Sequence, residues 1–409
     1  MPRTRRGLTT APAAGALLAA ALGLCACQAD LGNADCQLTQ QTVLAGSPSS
    51  VLLLLPNLRI DQVGAGFFLI GSDGTAVRWA AMAADGTLSN EQAFALPAGA
   101  TNSFYAVAGA SAPGDTVLIG TLAASATAGQ GELDVVAVSA DGSQAPTPPN
   151  PLVTFPGGVP SASTVAMMSS RSGSVAGLAW VDAQANRAMF TTVTGQGALV
   201  GAPVAVGASA VLDATTAFDC LAFSPGKSPL TLSYVNDTAD QPDSPIGVIA
   251  EANDGGTIDS TTTLNYNSPV GCATVTPTDT GYGLVWQDDQ GSWFTDYMTG
   301  VNHFTPQTFV LASSFGGADL QPPLVGLAPF GTDFGVVLAR AHDVELWRLD
   351  DMGNRSPGSL VFPSLNGNLG GVSTLLFNGG LLATYADYSS APGAPTFAGR
   401  RLLVNAVCY

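Results

Sequence analysis

The sequence predicts an all-β fold of about seven four-stranded units arranged in a circle. Three observations predict it. A strand pattern recurs at a spacing of roughly 50 residues; glycine (48) and proline (27) are abundant, so turns are many; and the two ends of the chain read as halves of one unit.

The second strand of the unit is the clearest element. It recurs as GFFLIGSDG (66–74), TVLIGTLAAS (116–125), GLAWVDAQ (177–184), LTLSYVND (230–237), GLVWQDD (283–289), FGVVLARAHD (334–343) and GLLATYAD (380–387). Acids often end it: Asp182 to Asp237 is 55 residues, and Asp237 to Asp288 is 51. Third strands follow, such as AVRWAAMAADG (76–86) and GVIAEANDGG (247–256), each closing on a Gly/Asp/Asn turn signal. Short fourth strands such as LVTFPGG (152–158) and QTFVLASS (307–314) come next, and then the first strand of the following unit, such as FYAVAGA (104–110). The second strands are apolar on both faces, as packing of sheets face to face requires. A two-layer sandwich would alternate more cleanly. The architecture that fits is a β-propeller over residues 36–409.

The ends of that region complement each other. The last unit stops after its third strand, RRLLVNAVCY (400–409), while the first residues, CQLTQQTVLAGS (36–47), contain a fourth-strand pattern. The N-terminal strand is expected to pair with the C-terminal unit and close the ring. In such an antiparallel pair the end of strand three lies beside the start of strand four, which sets Cys408 beside Cys36. A disulfide between them is expected. A second is expected between Cys220 and Cys272, each 14 residues before a matching second-strand position, Tyr234 and Trp286. Four cysteines in an oxidising compartment allow three connectivities.

Before Cys36 the chain reads differently. Arg3, Arg5 and Arg6 precede an apolar run from Ala11 to Leu24, too short and too rich in small residues for a good membrane span. The run ends in LGLCACQ. Cys27, with Leu24 three places before it and Ala26 just before it, resembles the lipobox of bacterial lipoproteins; Cys25 has bulky Leu24 where a small residue is wanted. That resemblance implies a signal peptide over 1–26, an acylated Cys27 carrying palmitate or a similar chain, and a short tether over 27–35. Gln28 after the cysteine implies the outer membrane, facing the periplasm or the cell surface. Two or more acyl chains anchor firmly where one does not, and the eight tether residues before Cys36 reach at most about 28 Å. The pattern as a whole resembles the Ala/Gly/Pro-rich propeller lipoproteins of predatory and gliding soil bacteria, and departs from the propeller lipoprotein of outer-membrane protein assembly, whose Gly/Trp repeats are absent.

Composition narrows the partners. Net charge is −17, and loss of three of the 13 basic residues with the signal leaves 10 against 30 acids, or −20. The chain has one lysine, Lys227. Such a surface repels nucleic acid and anionic head groups. The membrane is met through the lipid anchor, and the remaining partner is expected to be a protein or carbohydrate.

Chemistry is sparse. His303, placed in a turn, and His342 have no Cys or His at metal spacing, which argues against zinc. SPGKS (224–228) lacks the earlier glycine and the following helix of a phosphate loop, and GASAP (109–113) lacks the final glycine of a nucleophile elbow. Acids at the second-to-third-strand loops are the candidate ligand-face residues: Asp182, Asp237, Asp240, Asp243, Asp288 and Asp289. Their hard oxygens suit Ca2+, but neither loop carries the glycine and bidentate Glu of a calcium loop, and Asp serves turns on its own account. No metal or cofactor is expected, and no catalytic residue stands out. The leading expectation is a lipid-anchored, non-catalytic binding or scaffold protein of the cell envelope. The alternative is a surface hydrolase or lyase acting on carbohydrate, which should gather acids with a His or Arg on one propeller face around the channel mouth.

Overall fold

The computed structural model describes residues 36–44, most of 51–206, and from Leu221 to Cys408 chiefly the strands. The expected signal, Cys27 and the expected tether lie outside the described residues, as do Cys220, Cys272, Lys227 and His342.

β1 (Cys36–Val43) comes first, followed by one 3-10 turn, Leu52–Leu54. Strands β2 (Arg59–Val63), β3 (Gly66–Ser72), β4 (Ala76–Met82) and β5 (Gln92–Ala95) then form an antiparallel sheet in chain order. The same order repeats in β6 (Asn102–Gly109), β7 (Asp115–Ala124), β8 (Gly131–Ser139) and β9 (Asn150–Phe155). It repeats again in β10 (Val165–Ser169), β11 (Val175–Asp182), β12 (Arg187–Thr194) and β13 (Val204–Val206), and in β14 (Leu221–Ser224), β15 (Leu230–Asn236), β16 (Ile246–Ala252) and β17 (Ile258–Asn265).

The fifth sheet holds β18 (Ala273–Pro277), β19 (Gly281–Gln287) and β20 (Gly291–Met298), and its fourth place is split. β21 (His303–Phe304) pairs with one end of β20 and β22 (Thr308–Ala312) with the other. His303 therefore sits in a strand, not in the expected turn, and pairing with β20 is taken up again at Thr308. The sixth sheet is β23 (Val325–Phe330), β24 (Asp333–Ala339), β25 (Asp343–Leu349) and β26 (Leu360–Pro363). The last is β27 (Asn368–Phe377), β28 (Gly380–Tyr388) and β29 (Gly399–Cys408), with β1 on the outer side of β29. In that pair Cys36 is the Cα partner of Cys408, and a bulge falls between Leu38 and Gln40.

Burial grades outward across each sheet. The second strands β7 and β11 are buried on both faces over most of their length, whereas β5 and β9 are half exposed. Successive side chains of one strand point to opposite faces, so each sheet separates two cores. Phe68 and Ile70 of β3 pack with Val107, Val117 and Ile119 of the next sheet. Phe67 and Leu69, alternating with them in sequence, face the other way, onto Leu44, Leu52, Leu55 and Leu58. Likewise Ala106 and Leu118 meet Val165, Leu178 and Trp180. The first strands touch in chain order, β2 with β6, β6 with β10 and onward to β27, and β27 touches β2.

One turn recurs between third and fourth strands. Gly86, Gly142, Gly197 and Gly256 stand at φ 88, 71, 78 and 78, a region open to glycine. Each donates its N–H to the carbonyl three residues back: Ala83, Ser139, Thr194 and Asn253, at 2.9, 3.0, 2.9 and 3.0 Å. The Gly/Asp signals in the sequence are these turns.

Candidate functional site between two sheets

A cleft of about 330 Å³ opens between the β2–β5 and β6–β9 sheets. Phe68, Ser89 and Gln92 line it from the first sheet; Asp115, Ser139 and Asp141 line it from the second. Its two acids come from different elements. Asp115 starts β7, and Asp141 lies in the recurrent turn after β8. The Ala140 N–H donates to the Asp115 carbonyl at 2.9 Å, which holds turn and strand together. Across the cleft, Trp79 Nε1 donates to the Ala140 carbonyl at 2.8 Å, fixing the first sheet to the same turn. Gly142 leaves room for Gln92: a Cβ there would stand 2.5 Å from Gln92 Oε1.

The two carboxyls are driven apart in acidity. Asp141 accepts hydrogen bonds from Ser139 Oγ and, at 2.9 Å, from the Ser143 N–H. These favour the carboxylate and lower its pKa to about 2. Asp115 is half-buried, and burial alone raises its pKa above the ordinary 3.8.

A second polar cluster lies on the first strands of three neighbouring sheets. Arg59 Nη2 bonds Asp61 Oδ2 at 2.8 Å and the Tyr105 carbonyl, and Nη1 reaches the Met167 carbonyl at 3.2 Å. The guanidinium lies 5.0 Å from the Tyr105 ring centre. Asp61, 4 % exposed, also accepts from Ser169 Oγ at 3.0 Å, and Ser169 Oγ takes the Val107 N–H at 2.8 Å. A first strand has a neighbour on one side only, so its other edge carries unpaired groups. Arg59 and Ser169 satisfy those groups.

Of the acids expected at second-to-third-strand loops, Asp182 is described; it ends β11 with Arg187 as its cross-strand Cα partner. Asp237, Asp240, Asp243, Asp288 and Asp289 lie outside the described residues. The cleft acids stand at the opposite edge, where second strands begin. In the sequence Asp141 is one more Gly/Asp turn residue after a third strand, and Asp115, two residues beyond GASAP, carries no signal of its own. Their shared cleft arises only when two sheets face each other.

No protein-family model matches the chain, and no curated protein matches it. Solved structures are similar in fold. The β-propeller domain of the Trilobed protease from Pyrococcus furiosus matches at 7% identity and TM-score 0.43, over 85% of this chain and 92% of that one. Kuenenia stuttgartiensis hydrazine synthase matches at 13% and 0.47, over 84% and 95%. The alpha-L-arabinofuranosidase Arb93A of Fusarium graminearum matches at 10% and 0.42, over 92% and 98%. The expected non-catalytic scaffold is corrected here. The cleft brings two acids together, without the His or Arg that the alternative was expected to add among the described lining residues, and the similar structures include a protease domain and a glycosidase, which share the fold alone with this chain.

Proposed function

We propose that this chain is a carbohydrate-active hydrolase on a seven-bladed propeller. One observation carries the proposal: two carboxyls line one cleft, one raised in pKa by burial and one lowered by hydrogen bonds. Environments that push paired acids apart assign the acid and the base, and glycoside hydrolysis uses such a pair on either side of the scissile bond. Asp115 donates its proton to the leaving oxygen as the C1–O bond breaks. Asp141 stands ionised to take the proton of the attacking water or to bond the anomeric carbon, and the anomer released separates the two. The pairing of β1 with β29 and the contact of β27 with β2 support a ring closed by the N-terminal strand. The lipobox resemblance supports anchorage at the cell envelope through Cys27.

The test is turnover of glycans by purified variants. Asp115→Asn and Asp141→Asn should each lose about 10²–10⁴-fold in kcat, the usual size of acid–base contributions. Asp85 occupies the equivalent turn of the first sheet, where its Oδ1 accepts the Thr87 N–H at 2.9 Å. Asp85→Asn should leave turnover unchanged; an equal loss there would make Asp141 a turn residue and no more. The pH profile follows. Asp141 must be ionised, so rate falls as pH drops towards about 2. Asp115 must be protonated, so rate also falls as pH rises through its elevated pKa. Anchorage is tested separately: Cys27→Ala should move the protein from the membrane fraction to the soluble one.

A further inference from the structure

We infer that Trp79 is a positioning residue for the acid pair: acting through Ala140, its indole N–H sets the Asp141 turn against Asp115. The inference rests on the proposed hydrolase and deepens it. Ala140, the residue before Asp141, is held from two sides. Its carbonyl accepts the Trp79 Nε1–H at 2.8 Å, and its own N–H donates to the Asp115 carbonyl at 2.9 Å. The indole and both acid-bearing residues are thus linked in series. Trp79 is 1 % exposed, in a buried apolar cluster with Ile70, Val77, Val117 and Val136, so the donor stays in place. A buried indole N–H also needs its acceptor. Gln92 gives a second grip. It is the cross-strand Cα partner of Trp79, so the two side chains share a face of the sheet. Its amide lies against Gly142, where a Cβ would collide with it. Asp141 is therefore bracketed by contacts to Ala140 and Gly142.

The tie itself belongs to the scaffold. In the third and fourth sheets the equivalent turns are also held by a side chain of the preceding sheet. Asn150 Nδ2 donates to the Gly197 carbonyl at 3.1 Å, and Thr192 Oγ1 to the Asp254 carbonyl at 2.9 Å. The place of Asp141 is taken there by Gln196 and Gly255. Trp79 differs in what its turn carries. Here the same tie holds a carboxyl that lines the cleft, and the peptide it grips is bonded to the residue that bears the second one. A shift of that turn would change the spacing of two acids that must flank one bond, and a misplacement of about 1 Å can cost about 10²-fold in rate.

The experiment uses the full chain and compares Trp79→Phe with Thr192→Val, which removes the equivalent tie where a glycine takes the place of Asp141. Both are assayed on glycans well below their unfolding temperatures. Trp79→Phe should lose about 10–100-fold in kcat with KM held within about twofold. Thr192→Val should keep both constants, whatever stability it loses. A second readout needs no substrate: titration of the aspartate carboxyls by carbon-13 NMR. Asp115 shares the cleft with Asp141, Ser139, Ser89 and Gln92, and burial raises its pKa. Trp79→Phe should bring that pKa down towards the ordinary value as the turn loosens and water enters, and Thr192→Val should not. Should Trp79→Phe fail to fold, Gly142→Ala displaces Gln92 from the same turn. Gly197→Ala is then the control, since the two glycines stand at φ 71 and 78 and Gly197 follows Gln196 instead of an acid; this pair is read in the same way. An unchanged kcat in Trp79→Phe, or an equal loss in Thr192→Val, would overturn the inference and leave the hydrolase standing. A wild type that cleaves no glycan would sink the hydrolase, and titration would then decide: a shift confined to Trp79→Phe keeps the coupling, and no shift overturns that too.

Discussion

Burying a guanidinium beside a carboxylate is costly unless both find partners, and Arg59 and Asp61 find theirs on three strands. Burial opposes the Arg59 charge, yet Asp61 outweighs it and the guanidinium's pKa rises. Arg59 Nε is buried and has no hydrogen-bond partner among the described residues. Arg59 keeps 25 % of its side chain exposed, which sets its removal at the low end of the range for buried pairs, about 3 kcal/mol. Arg59→Met should therefore lower the urea midpoint clearly, and Arg59→Met with Asp61→Leu should recover part of the loss, because the second change removes the stranded charge. A double variant less stable than the single one would refute that account. Neither residue stood out in the sequence, since RIDQV reads as an ordinary strand. What makes the pair special is the open edge of β6 and β10, and an edge exists only once the sheets are arranged. The cleft acids were hidden in the same way. Asp141 carries a turn signal identical in kind to Asp85, and only the facing sheet tells them apart.

Within a sheet, much was legible. Short apolar runs and Gly/Asp turns are local properties, so the second strands and the turns after third strands fall where the sequence sets them. Contacts between sheets are not local. Gly283 on β19 has the ring of Phe334, on β24 of the next sheet, against the place where a side chain would begin: a Cβ would lie 2.2 Å from Cε1. Phe334 is fully buried, so the ring has little room to yield. Gly283→Ala should cost about 1–3 kcal/mol by overpacking. Adding Phe334→Leu should restore part of it, a coupling that a thermal-melt cycle of four proteins would read. If the two losses simply add, the contact is not what fixes the glycine. The split of the fifth sheet's outer place escaped the sequence because QTFVLASS already reads as a whole fourth strand and HF is too short to show a period.

At the scale of the molecule, the proposed ring depends on a strand from one end of the chain completing the sheet at the other. β1 and β29 pair over nearly their full length, with Cys36 opposite Cys408. Directly opposed residues of an antiparallel pair have Cα atoms about 4.5–5.5 Å apart, within the span of a disulfide. The pairing was legible because a missing fourth strand at one end matched a surplus one at the other. The bond itself is a proposal, and it has a sharp consequence. It would close a loop of about 370 residues, so its removal is worth roughly 4–5 kcal/mol in the chain-entropy model. Cys36→Ser and Cys408→Ser should each lower the thermal midpoint by the same amount, and the double variant should fall no further, since either change breaks one bond. Reductant should destabilise the wild type and leave the variants unmoved. A non-reducing peptide map must join Cys36 to Cys408; a map joining Cys36 to Cys220 or Cys272 would leave the ring held by strand pairing and apolar burial alone. In that case Leu44, Leu52, Leu55 and Leu58, packed on β3 between the closing strand and β2, would be the residues on which closure depends.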